Sequence, residues 1–165
     1  MDAARFIRHL FASRWLTRRR FTDAVDSAIE SAIRMAEART SGEIRFVIET
    51  ALHPNAAARG YSPRARALEV FGQFRVWDIE LRNGVLIYVL VADRDVEILA
   101  DRGAAAVIPA AGWEAAAQRM EAEFRAGRFR EGAVAGVEAV GGLLEKHFPA
   151  RATNRDELPN QPALL

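Results

Sequence analysis

Residues 82–103 read RNGVLIYVLVADRDVEILADRG, and the architecture follows from how this segment is parsed. Val85 to Ala92 is an unbroken apolar run of strand length, rich in β-branched residues and too uniform for a surface strand. It is expected at the centre of a sheet covered on both faces. Asp93, Arg94 and Asp95 interrupt it, and Val96 to Ala100 opens a second apolar segment, which predicts a tight antiparallel hairpin.

Upstream, Glu43 to Leu52 alternates Ile44, Phe46 and Ile48 against Arg45, Val47 and Glu49. It reads as a strand with one face drier than the other. Between it and the central run, His53 to Gly60 reads as a loop, and Ser62-Pro63 as the cap and first turn of a helix with a buried stripe of Ala67, Leu68, Phe71 and Phe74. Strand, helix and strand in this order predict a right-handed βαβ unit with parallel strands. Asn83-Gly84 is a hairpin signal that admits a short extra strand at Val76 to Glu80, but Val76 to Leu81 is expected instead to be a loop turning at Asn83, with Trp77 plugging the end of the helix. Together these give an α/β fold: a three-layer α/β/α sandwich with a small mixed central sheet, a βαβ unit plus an antiparallel hairpin.

Flanking elements complete it. Thr22 caps a helix whose apolar positions are Val25, Ile29, Ala32, Ile33 and Ala36. After Gly103, one helical turn at 104–107 precedes a helix marked by Trp113, Ala117, Met120 and Phe124, and then one marked by Phe129, Ala133, Val137, Val140 and Leu144. Gly132 and Gly136, four apart on one side, suit close packing against the sheet. Three regions result: a basic amphipathic helix in 1–20, an α/β domain over 21–149, and a tail over 150–165 expected to be disordered because of Pro159 and Pro162.

A chain of 165 residues that is half apolar is long enough for one core. It has no cysteine, which excludes disulfides, thiolate metal sites and Cys nucleophiles. No apolar run approaches the roughly 18 residues needed to span a bilayer, and charges at Asp2, Arg5, Arg8 and Arg14 interrupt any secretory h-region. The expected location is therefore cytoplasmic, including the inner face of the membrane. Six Arg against one Asp leave residues 1–20 at +5 and the rest of the chain at −4. Any charge-driven partner is expected at the N-terminus.

There Phe6, Ile7, Leu10, Phe11 and Trp15 share one helical face, with Arg18, Arg19 and Arg20 following. The face fits packing on the domain or on a second subunit as a homodimer, or docking on a protein partner or an anionic membrane. Nucleic acid is not expected, because a phosphate-tracking arm gains little from burying Phe and Trp.

Ligands of open α/β sheets gather beyond the carboxyl ends of the parallel strands. Those ends lie at His53 and at Asp93 to Asp95. Asp93 and Asp95 offer the hard oxygen donors that calcium or magnesium takes, and the plain alternative is a solvated hairpin turn. His53 in its loop is a candidate general base with capping as the plainer role. At the other end of the hairpin Arg82, Asn83, Asp101 and Arg102 form a second candidate polar cluster, and Glu43 lies on that side. Phosphate loops, a nucleophile elbow and His ligand pairs are absent, and nothing requires a cofactor.

The order of AEARTSGEIRFVI (36–48), VFGQFRVW, RNGVLIYVL, VEILADRG, MEAEFRAGRF and HFP resembles the TPM domain family over Phe21 to Phe148. The resemblance implies the same α/β/α sandwich with a small central sheet. It also implies the family's range of roles: divalent-cation binding, weak phosphatase activity, photosystem II repair and assistance to a membrane receptor, with LemA-family membrane proteins as frequent companions of bacterial members. Many members are secreted or membrane-anchored. Asp101 stands where the family usually carries glycine. Two function classes follow: a non-catalytic interaction or membrane-peripheral module, which the charge asymmetry favours, and a divalent-cation-binding domain with weak phosphatase activity.

Overall fold

The computed structural model describes residues 2–152 and 156–165. Two short helices open the chain, α1 (Ala3–Phe11) and α2 (Arg14–Arg20), where the apolar spacing predicts one. Ala12 is extended, and the Ser13 hydroxyl accepts from the Trp15 N–H to restart the helix. Thr22 caps α3 (Asp23–Glu37) as predicted, accepting from the Val25 N–H.

β1 (Glu43–Glu49), α4 (Pro54–Ala58), α5 (Pro63–Gln73) and β2 (Gly84–Leu90) form the crossover unit. β1 and β2 run parallel from Glu43 opposite Gly84 to Glu49 opposite Leu90. β3 (Asp95–Ala100) returns antiparallel, with Val85 opposite Ala100. Helices α6 (Arg102–Val107), α7 (Ala110–Arg125) and α8 (Phe129–His147) follow, and β4 (Ala163–Leu164) closes a sheet of order β3-β2-β1-β4.

The sheet separates two apolar cores, as a buried central strand requires. On one face Ile44, Phe46, Ile87 and Val89 meet Ile29 and Ile33 of α3, Met120 of α7 and Val137 and Val140 of α8. On the other, Val47, Leu86 and Leu90 meet Ala67 and Val70 of α5 together with Val76 and Ile79. Val76 and Ile79 close the end of α5, whereas Trp77, expected in that role, is half exposed. Covering both faces also buries the polar residues of β1, so Glu43, Arg45 and Glu49 are not on a wet face. The charge of Glu49 is met there: it accepts from the Tyr88 hydroxyl at 2.6 Å and from Arg66 Nε at 2.8 Å.

Gly132 and Gly136 contact helices rather than the sheet. A Cβ on Gly132 would press on Phe124, and one on Gly136 would overlap Met120, so the pair lets α8 approach α7 closely. Gly141 does the same toward Ala36 of α3.

The tail departs most from the sequence reading. Residues 153–155 lie outside the described residues, but 156–165 are ordered against the domain. Leu158 is buried, β4 pairs parallel with β1 at Val47 and Ile48, and Arg45 Nη1 donates to the Pro159 and Gln161 carbonyls at 2.6 Å each. The physical reason is the open edge of β1, whose unpaired backbone groups accept a strand from far along the chain. Among the described residues no helix is long and apolar enough to cross a membrane.

Candidate functional site

Because β1 and β2 are parallel and β3 antiparallel, the starts of β1 and β2 and the end of β3 converge at one end of the sheet. The turn into β1 is fixed there by Thr40, whose hydroxyl donates to the Phe148 carbonyl at 2.5 Å. Asn83, fully buried, donates from Nδ2 to the Ser41 carbonyl at 2.9 Å. The Asp101 N–H donates to the Gly84 carbonyl at 2.8 Å, and its side chain caps α6 by accepting from the Arg102 N–H at 2.7 Å. Arg82 adopts a positive φ of 53°, which turns its carbonyl toward the Gly103 N–H at 2.8 Å. Gly103 is required at that approach, since a Cβ would sit 2.5 Å from the Arg82 oxygen. The predicted cluster of Arg82, Asn83, Asp101 and Arg102 thus comes together. A cleft of about 690 Å³ opens beside it, lined by Arg82, Asp101, Arg102, Trp77, Glu80 and Glu157 among others. The buried Asp101 Oδ2 and Asn83 Oδ1 have no hydrogen-bond partner among the described residues.

Glu157 leads from this cleft to a group that the sequence reading did not assemble. Glu37 at the end of α3, Glu43 at the start of β1 and Asp156 of the tail bring carboxylate oxygens within 4.8 Å of one another. Glu37 and Glu43 are buried, and Asp156 is exposed. Glu37 accepts from the Ile44 N–H at 2.8 Å, and Glu43 from the Glu157 and Leu158 N–H groups at 3.1 Å each. Burial, reinforced by the charge of Glu43, pushes the Glu37 carboxyl up to about 8. Burial likewise pushes Glu43 up to about 7, against the two N–H donors that favour its charged form. Three hard oxygen donors of this kind can hold a divalent cation.

The opposite end of the sheet is built differently. Asp93, in the hairpin turn, is enclosed by α1: Arg5 Nη2 lies at 2.6 Å and His9 Nε2 at 3.0 Å, with Arg8 at 3.4 Å. His9 Nδ1 accepts from the Leu52 N–H at 3.0 Å, so Nε2 carries the ring proton and donates to Asp93. Burial pushes the Asp93 carboxyl up, but hydrogen bonds from Arg5 and His9 outweigh it and hold the pKa below the usual range. Asp95 is pushed up to about 6 by burial and by the neighbouring Glu97 and Glu121 charges. The Asp93 charge also reaches Asp95, but Asp93 itself is committed to the clamp that Arg5 and His9 of α1 form around it. His53 is exposed, and its side chain makes no cap bond to α4.

A model of the TPM domain matches residues 18–143. The chain belongs to the TPM domain family. The NMR structure of the BA42 protein from the psychrophilic bacterium Bizionia argentinensis is 35% identical, with a TM-score of 0.77 over 87% of this chain and 94% of that one. The N-terminal domain of a protein from P. gingivalis, 22% identical, shares the fold with a TM-score of 0.60 over 77% of this chain and 78% of that one. No curated protein matches.

In this TPM domain the N-terminal residues sit outside the site. Phe6 is half-buried, and Leu10, Phe11 and Trp15 are exposed. Arg18 pairs with Asp26 at 2.8 Å, Arg19 lies over the Trp15 ring and Arg20 over Phe129. Sequence reasoning placed Glu43 on the right side of the sheet but missed Glu37 and Asp156. One reads as an ordinary carboxylate in a helix's last turn, and the other lies in a segment whose partner strand is more than a hundred residues away.

Proposed function

We propose that this TPM domain is a divalent-cation-binding module whose site is the Glu37, Glu43 and Asp156 group. The observation that carries the reading is geometric: three carboxylate side chains from three separate elements, two of them buried, meet within 4.8 Å. The donor set fits a hard cation such as calcium or magnesium and has no sulfur or imidazole to favour a softer one. The raised proton affinity of Glu37 and Glu43 supports it, because like charges crowded out of water take up either protons or a metal ion. Arg82 and Arg102 line the cleft that Glu157, the chain neighbour of Asp156, also lines.

Thermal unfolding with and without calcium or magnesium near neutral pH tests this. A cation that binds only the folded state at 100 times its Kd adds about 2.7 kcal/mol of stability. The melting temperature of the unaltered chain is expected to rise with cation concentration, and that of Glu43→Gln is expected to stay flat. An equal rise in both would refute the site. A second role, docking through α1 and α2, has its own support in the outward position of Leu10, Phe11 and Trp15.

A further inference from the structure

We propose that α1 and α2 form a preformed docking ledge for an anionic lipid surface. The first observation is the orientation of α1, which packs with its polar side inward. Arg5 and His9, one turn apart, face the domain with Phe6 half-buried beside them: Arg5 reaches Asp93 and the Ala57 carbonyl at 3.0 Å, and the fully buried His9 ring bridges Asp93 and the Leu52 N–H. The opposite side carries the apolar residues, with Ile7 53% exposed, Leu10 52% and Phe11 77%. α2 repeats the arrangement, burying Thr17 and leaving Trp15 66% and Leu16 41% exposed. An amphipathic helix serving only its own core turns its apolar face inward. Five of the large apolar side chains exposed among the described residues fall within positions 7–16, so this is a concentrated patch rather than scattered exposure.

Charge selects the occupant. Arg8, Arg14, Arg18 and Arg19 are exposed around the patch, and Asp2 is the one acidic residue among the first twenty. A phosphatidylserine-containing bilayer complements this rim while accepting Phe11, Leu10 and Trp15 below the headgroups. A second copy does not, because two-fold pairing through this face sets one copy's arginines against the other's. The polar clamp on Asp93 holds the ledge in place before contact, so little ordering is needed on binding.

The test is co-sedimentation of the full chain with vesicles of phosphatidylcholine alone or mixed with phosphatidylserine. Binding to the mixed vesicles is expected to exceed that to neutral ones by about tenfold or more and to weaken with added salt. Phe11→Asp with Trp15→Asp, both at exposed positions, is expected to abolish it without changing the melting temperature. Arg18→Glu with Arg19→Glu is expected to remove the preference for anionic vesicles. No sedimentation with either vesicle, or equal sedimentation of the Phe11 and Trp15 variant, would overturn the proposal. So would a dimer in sedimentation equilibrium that the same variant disperses in the absence of vesicle binding. None of these outcomes depends on cation binding at the acidic group.

Discussion

Glu37 and Glu43 are buried carboxyl groups whose charged forms their surroundings disfavour. Their carboxyl groups are pushed up to about 8 and about 7 from an unfolded value of 4.5, with burial as the leading cause. A raised folded-state pKa means the native chain holds its proton more tightly than the unfolded one. The resulting stability is fully present below pH 4.5 and is lost as pH rises through the folded values. Stability measured in urea without divalent cations is therefore expected to decline between about pH 5 and 8. Glu37→Gln, which keeps the shape without the charge, is expected to flatten that decline and to raise stability at pH 8. A loss of stability at pH 8 in this variant would show that Glu37 is satisfied as an anion. The same residues mark the limit of sequence reading at this scale. A carboxylate in a helix's last turn or at the start of a strand looks solvated until the distant segments around it are placed.

Elements explain why the two ends of the sheet behave differently. The hairpin of β2 and β3 was legible in the sequence because its apolar run, polar interruption and second run are all local. The pairing of α1 with the hairpin turn was not, because it depends on Arg5 and His9 meeting Asp93 across more than eighty positions. Asp93→Ala removes the shared acceptor of that clamp. The helix is then free to leave the surface rather than hold an unpaired buried charge. Amide exchange in α1 is expected to accelerate by about tenfold or more, with exchange in β2 unchanged. Uniform acceleration through β2 would show that α1 is integral to the core.

For the molecule as a whole, the three-layer arrangement follows from one strand too apolar to face water, and both cores form around it. What local patterns could not supply was closure by a distant segment. Pro159 and Pro162 read as disorder, yet the segment containing them covers the β1 edge, supplies carbonyl acceptors to Arg45 Nη1 and brings Asp156 to the acidic group. A chain ending at residue 152 is expected to melt at lower temperature and to associate as concentration rises, since it exposes a strand edge and leaves Arg45 buried without its carbonyl acceptors. Unchanged melting and a monomeric truncated chain would contradict that role.

The most direct measurement is a calcium or magnesium titration of the full chain followed through its backbone amide resonances. The Ile44, Glu157 and Leu158 N–H groups donate to Glu37 and Glu43, so these resonances are expected to move first and to saturate together. Movement confined to Arg94, Asp95 and Val96 at the opposite end of the sheet, or no movement at all, would contradict the account.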